Sequence, residues 1–368
     1  MSRNDRPFRV LSVDGGGMRG IYAASYLENV ARAFAKKRGV RTLDVGAAFD
    51  LVVGTSTGAI IVCALAAGLR LEKVIALFRT RGPKVFPHKL PATLPALVRE
   101  ALALRLFFRS RALRAGEAVL REALEETFDR LTLGQIYQQR GIALCLTAVE
   151  MSQQRSWVFK TPHLATSFSR DNDYAVVDAC LASSAAPLFR SLARIKSPDT
   201  ADQYRCFADG GLWANNPVLV ALVEALQMLS KQPERQLEIF SLGTCPRPDG
   251  TFVEAGGTHW GLLKWRFGAQ AAQLSLAAQD YAFDNVARLL APHTGRECCV
   301  VRFPNGPVPA SLLDYLDLDE TSAAGLDALV TQAAADADVT MSACGRPAYP
   351  EGQAIKRLFE ELPEMKEE

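Results

Sequence analysis

The sequence predicts an α/β fold in which a largely parallel central sheet is flanked by helices, and two observations predict it. First, two strand–glycine turn–helix units occur within the first 70 residues, at Phe8–Gly20 and at Phe49–Gly68. Parallel neighbours need a crossover between them, and a helix that covers one face of the sheet supplies it. Second, the 368 residues are 49% hydrophobic and 22% charged, which is enough apolar material for a sizeable core and too little charge for wholesale disorder.

The elements follow in order. Phe8–Val13 (FRVLSV) reads as a short buried strand, Asp14–Gly17 as a turn, and a helix begins near Gly20 with Tyr22, Leu27 and Val30 among its apolar positions. Phe49–Val53 is a second strand, Gly54–Gly58 a tight turn and Ala59–Gly68 an apolar helix. Residues 70–130 read as helical but are interrupted by prolines at 83, 87, 91 and 95, the pattern of a helical insertion or lid. Strand character returns at Ile142–Val149 and Trp157–Phe159. Val176–Ser184 is a helix stopped by Pro187; Arg205–Ala208 leads into another glycine turn. A helix at Pro217–Leu229 and a strand at Leu237–Leu242 complete a core over about residues 8–244. Residues 246–368 form a mixed extension with helices near 262–290 and 321–339 and a strand at Cys298–Phe303. The last dozen residues are charged and read as frayed. No internal repeat is visible, so the chain reads as a single domain over 1–368.

Composition narrows the function. Lys and Arg total 42 against 40 Asp and Glu, a net charge of +2 that argues against a nucleic-acid binder. The eight cysteines are scattered without a C-x-x-C pair and read as reduced thiols of a cytoplasmic protein. The N-terminal residues lack the apolar segment of a signal peptide, and the longest apolar run, Ala59–Leu69, falls short of the roughly 20 residues of a membrane span. Any membrane would therefore be met peripherally, at its inner surface.

Three turns carry chemistry. Gly54-Thr55-Ser56-Thr57-Gly58 is a G-x-S-x-G between strand and helix, a context that raises a serine hydroxyl above a sheet edge and aims helix N-terminal amides at it. Without that context the same pentapeptide is an ordinary turn. Asp14-Gly15-Gly16-Gly17-Met18-Arg19-Gly20 has two readings. Residues 15–20 match G-x-G-x-x-G after a strand, so they could cradle a nucleotide phosphate; alternatively the Gly15, Gly16 and Gly17 amides form an oxyanion hole facing Ser56, with Arg19 held nearby. The second reading uses both turns together. None of the four histidines, His88, His163, His259 and His293, follows a strand as a triad base would, and each reads as a surface or loop residue. Asp209-Gly210-Gly211 follows a strand, precedes a helix and offers an aspartate as base. A carboxylate with a reference pKa of about 4 is a weak base, so its site should be partly desolvated.

Together these blocks resemble the patatin-like phospholipases: DGGGMRG at 14–20, GTSTG at 54–58, ASSAAP at 182–187 and DGG at 209–211, in that family's order, with Asn215-Asn216-Pro217 following. The resemblance spans about Phe8 to Thr244 and implies a patatin-like three-layer fold. It also implies Ser56 as acylated nucleophile, Asp209 as base, Gly15, Gly16 and Gly17 as oxyanion donors, and neither metal nor cofactor. The implied reaction is phospholipase A-type hydrolysis of a membrane glycerophospholipid. Acyl transfer to another acceptor would use the same groups, so an acyltransferase stays open. The opening PFRVLSVDGGGMRGIYAASYL is further similar to patatin-like effectors of bacterial antiphage defence, which implies activation by a cyclic dinucleotide and leaves room for a homo-oligomer. Six arginines among leucines and phenylalanines between Arg99 and Arg121 would then meet lipid headgroups or nucleotide phosphates, with Leu106, Phe107 and Phe108 towards acyl chains. A core-facing helix with a solvated basic face explains the same stretch.

Overall fold

The computed structural model describes residues 6–86, 99–165, 169–198, 203–245, 258, 259, 261, 265, 269–304, 306 and 308–366, with side chains of 99–110 left out. Its centre is an eight-stranded sheet. The strands are β1 (Phe8–Val13), β2 (Leu51–Thr55), β3 (Ala143–Glu150), β4 (Arg155–Lys160), β5 (Ala193–Lys196), β6 (Tyr204–Asp209), β7 (Leu237–Leu242) and β8 (Cys298–Phe303). Their order is β5-β6-β3-β2-β1-β7-β8, with β4 also paired to β3. The pairs β1–β2, β1–β7, β2–β3 and β7–β8 are parallel, whereas β3–β4, β3–β6 and β5–β6 are antiparallel. The sheet is thus largely parallel, as its strand–helix alternation predicts.

Helices cover both faces. On one lie α1 (Gly20–Arg38), α2 (Thr57–Ala66), α3 (Leu71–Val85), the C-terminal half of α4 (Arg99–Phe128), α6 (Val176–Ser183), α10 (Ala323–Cys344) and α11 (Pro350–Glu360). On the other lies α8 (Val218–Met228), joined by Ala287 near the end of α9 (Ala269–Leu290). The short helices α5 (Leu133–Arg140) and α7 (Gly211–Ala214) connect strands. All six residues of β1 are buried, because a central strand covered on both faces has no wet side. Arg9 sits among them at 2% exposure and is held by Glu238 at 3.0 Å and Glu361 at 2.6 Å. Burying a charge is costly unless it is paired.

Several elements differ from expectation. β2 ends at Thr55 rather than Val53, so the turn contracts to Ser56 alone. The insertion at 70–130 resolves into α3 and α4, and Leu120, Leu124 and Phe128 of α4 belong to the main core. This half of α4 is therefore a wall; the lid residues Leu106, Phe107 and Phe108 lie outside the described side chains, as do His88 and residues 246–257. The C-terminal residues are not frayed. Leu358, Phe359 and Leu362 are buried, Leu43 bridges to Glu364, and the Met365 N–H donates to the Thr42 carbonyl at 2.9 Å. Their charges had hidden an apolar stripe that packs with Phe34, whose ring stacks on Phe359 at 5.3 Å.

Candidate active site

Ser56 stands alone between β2 and α2, with φ 56° and ψ −122°. Such a backbone stores roughly 1–3 kcal/mol of strain in a residue other than glycine, and persists only where surroundings enforce it. Here the Ser56 N–H donates to Ser183 Oγ at 2.9 Å, and the Ser56 carbonyl accepts from Ala59 N–H at 3.0 Å. Close approach of β1 to α2 adds a second constraint. A Cβ at Gly58 would lie 2.4 Å from the Val13 oxygen and 2.5 Å from the Asp14 oxygen, both backbone atoms. Gly58→Ala is accordingly expected to destabilise the fold by about 1–3 kcal/mol, as overpacking does, measured as a lowered midpoint of thermal unfolding.

Asp209 reaches Ser56 by a route that strand-to-turn reasoning misses. β2 occupies one edge of β3 as far as the pair Thr55–Thr147, while β4 takes the other edge. β6 then pairs with β3 from Ala148–Asp209 onward, antiparallel. The C-terminal ends of β2 and β6 therefore meet head to head along one edge of β3. Asp209 therefore arrives on a strand that runs opposite to β2. The Ser56 hydroxyl donates to Asp209 Oδ2 at 2.7 Å, and Oδ1 accepts the Gly211 N–H at 2.7 Å. Burial raises the Asp209 carboxyl from 3.8 to about 6, against the opposing pull of the Gly211 amide, the Ser56 hydroxyl and the Arg190 charge. A carboxylate so desolvated is a stronger base than one in water.

The first glycine turn lies beside this pair, but its three amides are not equivalent. Gly15 N–H donates to the Asn215 carbonyl at 2.9 Å, so it has no proton left to offer an oxyanion. Gly16 and Gly17 line the same cavity as Ser56, and their amides have no protein acceptor among the described residues. Gly17 has φ +56°, and a Cβ there would lie 2.2 Å from the Leu318 oxygen, so only glycine turns the chain this way. Arg19 does not line the cavity. Its Nε donates to the Gly16 carbonyl at 3.3 Å, and burial lowers its pKa despite Cys245, Asp14 and Asp317 nearby. Arg19 therefore buttresses the turn. Thr244 Oγ1 and Asn215 Nδ2 donate to the Gly15 carbonyl at 3.0 and 3.3 Å, and Arg302 pairs with Asp14 at 2.5 Å.

Gly54 lies in β2, and Gly210 and Gly211 open α7. Ser183, Asn215, Thr244 and Arg190 are site residues to which sequence reasoning gave no role. The ASSAAP and Asn215-Asn216-Pro217 blocks marked two of their segments; Thr244 and Arg190 carried no signal. None of the described histidines lines the cavity. His259 and His293 are exposed, as expected. His163 is a loop residue whose side chain is fully buried, because Thr161 Oγ1 at 2.8 Å and Glu224 Oε1 at 2.9 Å satisfy both ring nitrogens. With Cys145 it forms the one group among the described residues that could hold a metal, on the α8 side of the sheet. Lys160 already occupies the other Glu224 oxygen at 2.5 Å.

The cavity is walled by apolar side chains, among them Ile60, Leu77, Phe78, Val85 and Leu120. Leu188 and Leu212 line it while remaining 46% and 50% exposed, which places them at its mouth. An apolar cleft ending in a few convergent polar groups suits an acyl chain with an ester at its head.

Comparison with known proteins identifies the family. The family model for patatin-like phospholipases matches residues 11–222. A cGAMP-activated phospholipase of Pseudomonas aeruginosa is 31% identical over 76% of this chain and 74% of its own. Another of that name from Vibrio cholerae is 31% identical over 88% of both chains. A cUMP-AMP-activated phospholipase of Escherichia coli is 28% identical over 67% of both chains.

Proposed function

We propose that this chain, which belongs to the patatin-like phospholipase family of lipid ester hydrolases, cleaves membrane glycerophospholipids with a Ser56–Asp209 dyad and is switched on by a cyclic dinucleotide. The observation that carries the dyad is the 2.7 Å hydrogen bond between a strained serine and a buried carboxylate at the end of an apolar cavity. Asp209 accepts the Ser56 proton as Oγ attacks the acyl carbonyl. The oxyanion forms beside the Gly16 and Gly17 amides and the N-terminus of α2. Asp209 returns the proton to the departing lysolipid oxygen, leaving the acyl group on Ser56. Water, deprotonated by Asp209, then attacks the acyl-enzyme, and Asp209 passes that proton to the departing Ser56 Oγ as the fatty acid is released.

No helix among the described residues is long and apolar enough to cross a membrane. Leu188 and Leu212, exposed at the cavity mouth, support a peripheral encounter in which lipid slides from the bilayer into the cleft. Gating rests on the relatives, three of which bear the names of cyclic-dinucleotide-activated phospholipases. The test is fatty-acid release from phospholipid vesicles by wild type and Ser56→Ala, with and without a panel of cyclic dinucleotides. Release that requires both Ser56 and one nucleotide is expected. Release without nucleotide would remove the gating and keep the hydrolase; phospholipid hydrolysis independent of Ser56 would overturn the dyad.

The pH dependence has a definite sign. The base must be ionised, and its carboxyl titrates near 6. With Asp209 as the sole titrating group, kcat/KM on an uncharged ester is expected to level off above about pH 7 and to fall tenfold per pH unit below about 6. A pH profile flat down to 4 would remove Asp209 as the base.

A further inference from the structure

Arg190 lines the cavity it shares with Ser56 and Asp209, and among the described residues it is the cationic side chain that does so. Only 7% of its surface is exposed. Nη1 donates to Ser184 Oγ at 2.9 Å and to the Ser184 carbonyl at 3.4 Å, while Nε has no hydrogen-bond partner. No carboxylate among the described residues lies within ion-pair distance. Glu117 and Asp209 attract it only from further off, and burial lowers its pKa to about 10. A buried guanidinium left with unused donors is costly unless a ligand supplies the anion.

Its position is as telling as its lack of an anionic partner. Ser184 adjoins Ser183, whose hydroxyl holds the Ser56 amide, so the guanidinium is fastened to the frame that orients the attacking oxygen. In a glycerophospholipid the phosphate lies only a few bonds from each ester carbonyl. An anion bound by Arg190 would thus set the ester against Ser56. Arg19, the other arginine near the glycine turn, is engaged with the Gly16 carbonyl and does not line the cavity.

We propose that Arg190 recognises the phosphodiester of the lipid substrate, its unpaired N–H groups binding the phosphate while the ester carbonyl stands at Ser56. This assignment rests on the hydrolase reading above. It makes Arg190 a specificity-determining residue, since a guanidinium matches phosphate oxygens in a fixed fork that a neutral ester cannot use.

The test uses the full chain, with any activating cyclic dinucleotide present, and two soluble esters of the same acyl group: dihexanoyl phosphatidylcholine and p-nitrophenyl hexanoate. Arg190→Gln is expected to lower kcat/KM on the phospholipid by about 10- to 100-fold, mainly through KM, as loss of a charge-assisted contact does. Hydrolysis of the neutral ester, assayed at pH 8 where Asp209 is ionised in both proteins, should fall much less than that of the phospholipid, and Arg190→Lys should recover part of the phospholipid activity. Glycerophosphocholine should inhibit neutral-ester hydrolysis competitively in the wild type and not in Arg190→Gln. Equal losses on both esters with an unchanged melting temperature would reassign Arg190 to positioning the dyad, and no loss on either would also overturn the proposal. Inhibition by inorganic phosphate without inhibition by glycerophosphocholine would assign the guanidinium to free phosphate instead. A wild type inactive on both esters would sink the hydrolase reading itself, whereas an active wild type with an indifferent Arg190→Gln sinks only this inference.

Discussion

Ser56→Ala is expected to reduce fatty-acid release by about 10³-fold or more, because it removes the hydroxyl that donates to the Asp209 carboxylate and would carry the acyl group. The fold should survive. The Ser56 N–H keeps Ser183 Oγ and its carbonyl keeps Ala59, so the turn retains the contacts that hold it at positive φ. The apolar walls are untouched, so lipid binding should remain close to wild type while turnover disappears. Mass spectrometry after treatment with a fluorophosphonate should find the adduct on Ser56 of the wild type and no adduct on the variant. Labelling at another residue, with activity retained, would remove Ser56 from the mechanism.

Asp209→Asn is expected to be comparably severe for activity and opposite in sign for stability. The amide oxygen can still accept the Gly211 N–H, but the Nδ2 group then faces Ser56 as a donor. The Ser56 hydroxyl becomes an acceptor and loses its route to deprotonation. Combining the substitution with Ser56→Ala should add little to either loss, since the two groups act as one unit. For stability the sign follows from burial. The folded protein raises the carboxyl from 3.8 to about 6, so it holds this proton more tightly than the unfolded chain. Below pH 3.8 the carboxyl is protonated in both states and carries no penalty, and the destabilisation grows as pH rises towards 6. Above that it stays constant at about 3 kcal/mol. A neutral asparagine escapes that penalty. Asp209→Asn should therefore melt higher than wild type at pH 8, and the difference should shrink as pH falls below 6. A variant that melts lower at pH 8 would show that the lost hydrogen bonds outweigh the relieved desolvation.

Much of the molecule was legible without coordinates. β1, β2, β7 and β8 are short segments rich in apolar and β-branched residues, and the turns after β1 and β2 carry their own glycine signals. Ser56 was readable because the elbow is a local device: five consecutive residues, a strand before and a helix after. The C-terminal stripe of Leu358, Phe359 and Leu362 was misread because charge was counted without helical spacing, although both lay in the same dozen residues.

Local pattern, then, determined the class of fold and the candidacy of the serine and the aspartate. Tertiary structure decided which of these groups meet. Ser56 and Asp209 are 153 residues apart, and they touch because β2 and β6 run head to head along one edge of β3, a matter of pairing register between distant segments. The same packing spent the Gly15 amide on Asn215, 200 residues away, and left the Gly16 and Gly17 amides to the cavity. It also buried Arg190 without an anion. Periodicity and turn chemistry are written in neighbouring residues, whereas register, desolvation and the partner of each polar group depend on what the rest of the chain brings alongside.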